Sequence, residues 1–510
     1  MRAWWAGAVA ALVACLIATS TAGAGDATTF QLNPAHTGYS PDSLPRSLHQ
    51  RWSLDLGRQV SYPLIADGKV FVLVQGVQLP GRADPVYALF GIDQETGQIL
   101  WRQLLDFPGP WPSPLAYDNG RIFLATAYDV PAEHTARGAV EAYDARTGAR
   151  LWRSGGLNHS WMFNGPPVAE GGVVYATGAG FGGSVYAVRE SDGALLWSVE
   201  VNASDSGVAL SPTRVYTAGA CHFYAFDRAT GAVAWAHDGG CTGGLEFLPV
   251  LYDGRLFARM AGPATGQVFD TAGGQIVGSF PMDSQWEPPP AFAGKLRVQV
   301  SGAKGTAAAY DVGTGAARWE FRGDGSLQTA PLIAGDTVYV GGKSGLVYGL
   351  DLATGQERWQ ADTGAPVRPP EWWDNSVKPG LAVGGGMLVV PATGRLVAYG
   401  APRGGGKSTA APRPTFAQVS VRCRTRCRAA IVLTLTRKHS SPRVVGRRRV
   451  TLPAGPHRVK VRLRRAALDR ISGRVRLSAR IRLTAIDRSG HRRRGRPIVH
   501  RLRRLVVRLG

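Results

Sequence analysis

Leu350-Asp351-Leu352-Ala353-Thr354-Gly355-Gln356-Glu357-Arg358-Trp359 is one spelling of a phrase that runs through the chain: an apolar residue, Asp, two residues, Thr-Gly, three residues, Trp. Phe226-Asp227…Thr230-Gly231…Trp235, Tyr143-Asp144…Thr147-Gly148…Trp152 and Tyr310-Asp311…Thr314-Gly315…Trp319 repeat it closely. Asp93…Thr96-Gly97…Trp101 is a further copy, Gly193…Trp197 has Arg189 in the Asp place, and Asp270…Gly274 lacks the Trp. Successive glycines stand 51, 45, 38, 43, 41 and 40 residues apart. A fixed period of this size marks a repeat architecture.

Each copy reads as a hairpin. The Asp carboxylate accepts backbone N–H groups across a tight turn, and Gly supplies positive φ without a Cβ clash. The flanking runs Val347-Tyr348-Gly349-Leu350 and Gln356-Glu357-Arg358-Trp359 pair as antiparallel strands. A second hairpin lies upstream, as in Pro63-Leu64-Ile65-Ala66-Asp67-Gly68-Lys69-Val70-Phe71-Val72 or in Pro331 to Val340 about Gly335-Asp336. Four strands per period of about 40–45 residues is the signature of a β-propeller blade. The Trp is placed at the end of the outermost strand, where its flat ring wedges between neighbouring blades. The 66 glycines and the frequent turn signals in 510 residues agree with an all-β chain.

The ends complete one another. Arg51-Trp52-Ser53-Leu54-Asp55-Leu56 reads as an outer strand with no inner three before it, and 381–399 as three inner strands with no Thr-Gly or Trp after them. Seven whole blades plus one shared between the two ends predict an eight-bladed propeller over residues 25–400, closed by the N-terminal strand. Before it, residues 1–24 combine one Arg, an apolar run and Ala22-Gly23-Ala24, the pattern of a cleaved secretory signal. Leu12-Val13-Ala14-Cys15 also resembles a lipobox, the alternative being a lipoprotein anchored through Cys15. Either route gives a secreted or envelope-associated protein of bacterial type.

Residues 401–415 form a Pro/Gly-rich linker, and 416–510 a different domain. Of the 59 Lys and Arg residues 32 follow residue 400, with only Asp469 and Asp487 of the 36 acids, so the tail carries +30 and the remainder −7. Val459, Val461 and Leu463 alternate with Lys460, Arg462 and Arg464, and Val475 to Leu483 alternate with Arg474, Arg476, Arg480 and Arg482. Period two predicts half-buried strands, hence a small β-sandwich of immunoglobulin type whose Arg stripes suit anionic polymers or lipids. No base-sequence readout is implied.

Turns inside the hairpins are short, and both kinds emerge on one face of the ring. The blade-to-blade linkers and the loops between second and third strands emerge on the other face, where they ring a crater. The expected site there comprises Trp111, His159, Trp161, Glu246, Trp286, Glu287, Glu371, Trp372, Trp373 and Asp374. Plugging of the crater floor is an equally good account of the tryptophans. His36 and His159 read as turn or packing histidines rather than catalytic ones. Cys221 and Cys241 fall on one crater-side turn and the linker leaving the same blade, so a bridge is reasonable; Cys423 and Cys427 bridge only if Arg424-Thr425-Arg426 makes a turn. No His or carboxylate near the second pair completes a metal site, and no P-loop, zincin or nucleophile-elbow motif is present.

The phrase Tyr-Ala-x-Asp-x-x-Thr-Gly-x-x-x-Trp resembles the pyrroloquinoline-quinone-type propeller repeat, over roughly residues 30–400. The resemblance implies either a quinoprotein dehydrogenase, with quinone (PQQ) and calcium over the crater, or a non-catalytic scaffold like the propeller lipoproteins of outer-membrane barrel assembly. The chain has no Cys-Cys pair of the kind that flanks the quinone in the alcohol-oxidising members. Glu371, Asp374 and Asn375 come nearest to a calcium set and read better as turn caps. The expectation is therefore an exported binding or scaffolding module with no cofactor and no catalytic residues, taking an envelope protein or ligand at its crater. The alternative is a PQQ- and Ca-dependent dehydrogenase.

Overall fold

The computed structural model describes residues 25–402, except 78–85, 106–112, 131–134, 156, 158–159, 164, 181, 202–205, 220–221, 241–247, 260–264, 285–286 and 371–376. Beyond residue 402 it describes 416–423, 427–436, 443–462, 473–486, 492–493 and 505–509. The chain divides into two units, one spanning 18–403 and the other containing 404–510. All regular structure among the described residues is β.

The larger unit is the expected eight-bladed propeller. Blade 7 shows the pattern: Leu332–Ala334, Thr337–Gly341, Leu346–Asp351 and Glu357–Asp362, each pairing antiparallel with the next from the axis outward. Blades 1 to 6 repeat it over 64–105, 116–153, 168–201, 208–238, 250–281 and 291–321. In blade 8, Ala382–Gly384, Met387–Ala392 and Arg395–Gly400 come from the far end of the unit, and His49–Asp55 supplies the outer strand. Leu54 lies opposite Leu396, and Trp52 opposite Ala398. Val70, Val72, Leu388, Val390 and Tyr339 share one buried core across blades 7, 8 and 1, so the seam is as apolar as any other.

The repeated turn is built as its residues dictate. In blade 7 the Asp351 carboxylate accepts the Thr354 N–H at 2.8 Å and the Thr354 hydroxyl at 2.9 Å, and Gly355 sits at φ 72°. The Asp-Thr pairs of blades 1, 2, 4 and 6 do the same. In blade 5 Gly273 stands in the Thr place, so Asp270 keeps the backbone bond, from the Gly273 N–H at 2.7 Å, without a hydroxyl beside it. The outer strands run on past the tryptophan rather than ending at it: Ile99–Leu105 continues well beyond Trp101, because the ladder with the third strand extends that far.

Each indole reaches forward to the next blade. Trp319 lies over Gly355, where an added Cβ would fall 2.6 Å from the ring, and its Nε1–H donates to the Leu352 carbonyl at 2.8 Å. Trp52, Trp101, Trp152, Trp197 and Trp235 dock in the same way on Gly97, Gly148, Gly193, Gly231 and Gly274. The glycine is therefore required twice, for its left-handed φ and for the ring above it.

Residues 25–40 fill the axis, a feature outside the reading of the sequence. The innermost strand of a blade is an edge, with N–H groups facing the axis. The N-terminal segment satisfies them in turn: Ile65 donates to Ala27 (2.9 Å), Tyr117 to Thr28 (2.7 Å), Leu210 to Pro34 (2.8 Å), Leu251 to Ala35 (2.9 Å), Phe292 to Thr37 (2.8 Å) and Ile333 to Gly38 (2.7 Å). Gly385 of blade 8 donates to Gly25, and the Thr29 hydroxyl donates to the Pro167 carbonyl before blade 3. Gln31, Leu32 and His36 adopt positive φ, which coils the segment tightly enough to visit every blade. His36 is fully buried, with Nδ1 and Nε2 each 2.7 Å from a carbonyl, of Phe30 and Val208. Burial pushes its pKa below the ordinary value, and the two backbone contacts oppose that. It is a packing histidine, as expected.

In the smaller unit Phe416–Cys423 pairs with Gly455–Arg462. Cys427–Thr436 pairs with Arg443–Leu452 on one side and Gly473–Ile486 on the other, and Leu505–Leu509 joins the last of these. Alternation is visible in Cys427–Thr436, where Cys427, Ala429 and Ile431 are buried and Arg428 is exposed, and Val459 and Val461 are buried at the expected spacing; Arg447, Arg448 and Arg449 are exposed in succession and do not follow it.

Deleting residues 25–56 removes both the axial segment and the closing strand, so the variant should lose its cooperative thermal transition or become insoluble; an unchanged melt would contradict the closure. Gly355→Ala and Gly315→Ala both place a Cβ at left-handed φ, costing about 1–2 kcal/mol. Only the first also strikes an indole, since nothing lies within 4 Å of a Cβ at Gly315. Denaturant titration should therefore find Gly355→Ala clearly the more destabilised of the two.

Candidate functional site

The two ends of the ring differ. At one end the turns within the first hairpin are two-residue loops, Asp67-Gly68, Asn119-Gly120 and Asp253-Gly254, all at positive φ. The axial segment reaches this end, where Gly385 and Gly335 donate to Gly25 and Ser40. The other end carries the longer connections, such as 282–290, 322–331 and 363–381. That is the crater face of the sequence analysis.

Of the expected crater residues, Glu287 is the one whose side chain is described. Trp161 lies in Ser160–Met162, a strand added beside Val173–Gly180 of blade 3. Trp111, His159, Glu246, Trp286, Glu371, Trp372, Trp373 and Asp374 lie outside the described residues, as do Cys221 and Cys241.

Glu287 belongs to a polar seam between blades 5 and 6. Its Oε1 accepts the Asp283 N–H at 2.8 Å, and its own carbonyl accepts from the Arg259 guanidinium. Asp283 pairs with Lys304 at 2.6 Å. The second strand of blade 6 alternates Val298 and Val300 with Arg297, Gln299 and Ser301, and all five are buried. Gln299 donates to the Pro281 carbonyl, and the Arg297 guanidinium lies 4.7 Å and 5.0 Å from the Phe280 and Tyr310 ring centres. Burial pushes the Glu287 carboxyl up to about 7, against the pull of the Asp283 amide and Arg259. Burial likewise lowers Arg259 to about 9 and Arg297 to about 10, so both stay charged at neutral pH. The seam thus sets a carboxyl shifted toward neutrality beside buried positive charge, so its charge state responds to pH.

Two further clusters escaped the sequence reading. Between blades 1 and 2 an open cavity of about 310 Å³ is lined by Gln103, Tyr143, Arg150 and Arg153 around Glu141. Glu141 is 1 % exposed and is held by both arginines and the Tyr143 hydroxyl. The signal was available: three residues before the motif Asp the other copies read Phe90, Tyr186, Tyr224, Gln267, Ala308 and Tyr348, never an acid. At the short-turn end, burial and the nearby Glu190 push Asp118 up to about 7, with Asn119 bridging the two carboxylates.

In the smaller unit Cys423 and Cys427 are disulfide-bonded with Cα atoms 5.8 Å apart, and the strands end and restart at the two cysteines. Strand register aligns Arg447 and Arg480 with Val432, Arg449 and Arg482 with Ala430, and Arg476 with Thr436. Arg474 pairs with Arg508. Opposed residues share a face, so these arginine positions collect on one side of the five-stranded sheet. Arg462 ends a strand of the other sheet, opposite Phe416, and Arg464 lies outside the described residues.

A family model described as outer membrane protein assembly factor BamB matches residues 85–221, 136–243 and 219–404. Among solved structures, BamB from Moraxella catarrhalis is 21 % identical with a TM-score of 0.51, over 71 % of this chain and 99 % of that one. The quinohemoprotein alcohol dehydrogenase from Comamonas testosteroni is 14 % identical with a TM-score of 0.56, over 76 % and 83 %. A europium-containing methanol dehydrogenase is 15 % identical with a TM-score of 0.56, over 74 % and 98 %. At these identities the structures attest the fold. No curated protein matches the chain. Among the described residues no three His, Cys, Asp or Glu side chains converge as metal ligands, and Glu371, Asp374 and Asn375 lie outside them.

Glu287 sits above its ordinary value of 4.5, so folding favours its protonated form. Its contribution to stability is full below that value and is lost as pH rises through about 7. Asp118 titrates over the same range, and Glu287→Gln isolates the seam. Melting temperature plotted from pH 4 to pH 8 should fall less steeply in the variant than in the parent; parallel curves would remove Glu287 from the titration.

Proposed function

The chain belongs to the family of the outer membrane protein assembly factor BamB, and on that premise we propose that it is an exported, non-catalytic platform at the bacterial cell envelope. Its crater face takes a protein partner, and its basic C-terminal domain holds it to anionic polymer or lipid. The observation that supports this most is the axial segment. Residues 25–40 occupy the inner edge of the blades toward the short-turn end, which leaves the longer connections of the opposite end for recognition. Loops on a rigid scaffold are where proteins place recognition.

The paired arginines support the second half of the proposal. A guanidinium fork engages phosphate or carboxylate two bonds at a time. A tail of +30 on a unit otherwise at −7 is more than solubility asks for. The likeness to the alcohol and methanol dehydrogenases supports a second reading, quinone-dependent oxidation over the crater. Adding PQQ with Ca²⁺ to the purified protein separates the two readings: stable colour with dye reduction by alcohols establishes the second and overturns the first.

Replacing Trp372 and Trp373 together by Ala should abolish capture of envelope proteins on an affinity column while the melt shifts little. If both rings plug the floor instead, the melt should drop by the equivalent of about 3–5 kcal/mol per ring. Truncation after residue 400 should abolish retention on polyphosphate or anionic-vesicle beads. In the full chain that retention should fall steeply with added salt; salt-independent retention would count against the electrostatic account.

A further inference from the structure

Seven of the eight blades carry a tryptophan on the outer strand, and blade 5 carries Gly278. Register confirms the equivalence: Gly278 lies opposite Val268 just before the ladder slips, as Trp235 lies opposite Ala225 and Trp319 opposite Ala309. The indole that blade 5 would project toward blade 6 is therefore missing.

The receiving half of that joint is nevertheless built. In blade 6 the Asp311 carboxylate accepts the Thr314 N–H at 2.9 Å, the Gly315 N–H donates to the Asp311 carbonyl at 2.8 Å, and Gly315 keeps φ 72°. Val312 donates its N–H to Lys295, as Leu352 donates to Asp336 in blade 7, so the turn is the same turn. What differs is its cover. Gly97, Gly148, Gly193, Gly231, Gly274 and Gly355 are buried, each with indole atoms 2.4–2.7 Å from the position of a Cβ. Gly315 is exposed, with no atom within 4 Å of that position. The Val312 carbonyl stands where the others receive an indole N–H at 2.7–3.3 Å. Beside the slot, Ile276 and Val277 are 47 % and 55 % exposed on an outer strand that is the free edge of its blade.

We propose that this vacant slot between blades 5 and 6 is a binding site for a tryptophan side chain carried by an extended segment of another protein. The segment pairs with the free edge of Ile276–Pro281. Its indole covers Gly278, lies on Gly315 and donates its N–H to the Val312 carbonyl. The occupant is named by the molecule itself, since six turns of the same build are filled by the same group in the same pose. Edge-strand addition supplies the backbone bonds, and an aromatic side chain on a neighbouring strand is the known way to cover a strand glycine. The site lies on the perimeter and is independent of the crater and of the reading given above.

The test uses the purified full-length protein and the blocked pentapeptide Thr-Val-Trp-Val-Thr labelled as 5-fluorotryptophan, followed by fluorine NMR. The expected result is a saturable shift with the parent protein, reversed by unlabelled peptide; the peptide with Phe in place of Trp should displace the labelled one at least about tenfold less effectively, and the peptide with Val not at all. Gly278→Trp fills the slot from within; it should melt at or above the parent temperature and no longer bind the peptide. If that variant does not fold, Gly278→Val, which crowds the slot, should also lose binding, and the Ile276 methyl resonance should move on peptide addition to the parent. Equal binding by parent and variant, or no shift at millimolar peptide, overturns the proposal. Self-association of the parent that disappears in Gly278→Trp overturns it too, in favour of a second copy of this chain as the occupant.

Discussion

An indole lying flat on a glycine of the next blade is the contact on which the ring depends. Four-stranded sheets have no intrinsic reason to assemble at a fixed angle, because apolar faces slide. The tryptophan removes that freedom. Its ring occupies the only place a Cβ would go, so Gly is obligatory beneath it, and its N–H finds one carbonyl, which sets the rotation. The joint recurs at six boundaries, under Trp52, Trp101, Trp152, Trp197, Trp235 and Trp319. At the closing boundary Trp359 keeps the hydrogen bond alone, donating to the Leu48 carbonyl at 2.8 Å in the chain that enters the closing strand.

The blade 5 to blade 6 boundary departs from that rule, and three of its departures occur together. The tryptophan is gone, the second strand of blade 6 buries Arg297, Gln299 and Ser301, with Arg297 against the Phe280 and Tyr310 rings, and Glu287 is buried beside Arg259. Hydrogen bonds and ring–cation contact replace the indole joint there. Buried polar groups stabilise only when they are satisfied, and they cost free energy when solvent or pH changes their charge. Among the described residues this boundary and the Asp118–Glu190 contact between blades 2 and 3 are accordingly the ones that answer to pH.

The architecture was legible because every decisive residue was local. Asp, Thr, Gly and Trp at fixed offsets dictate a turn, and the turn dictates the hairpin; the incomplete ends at Trp52 and 381–399 then dictate closure. Cys423 and Cys427 were legible on the same grounds, since a bridge at that spacing demands a turn. The axial segment was not, because Gln31, Leu32 and His36 owe their left-handed backbone to partners as remote as Val208 and Ile333, and nothing in their own spacing announces it. Glu141 and the empty joint at Gly278 were visible only by comparing the copies with one another. Of the crater, Glu287 alone has a described side chain, and its neutral-range carboxyl depends on burial, which a sequence does not display.

Closure also sets an order of events. Residues 25–55 are the first of the propeller to be synthesised, yet their partners extend to Gly400. Joining ends some 350 residues apart costs only about 2 kcal/mol more than closing a loop of thirty, since loop entropy grows logarithmically. The delay is the larger matter. Until blade 8 has arrived, the outer edge of its sheet has no cap and the inner edges of the blades face an empty axis. A cell that makes this protein must therefore tolerate, or chaperone, an open arc whose first segment waits for its last. The N-terminal segment acts in that setting as a proofreading element: it can seat fully only when all the blades are in place, so a chain cut short in the last blade keeps its beginning unfolded and exposed to proteolysis.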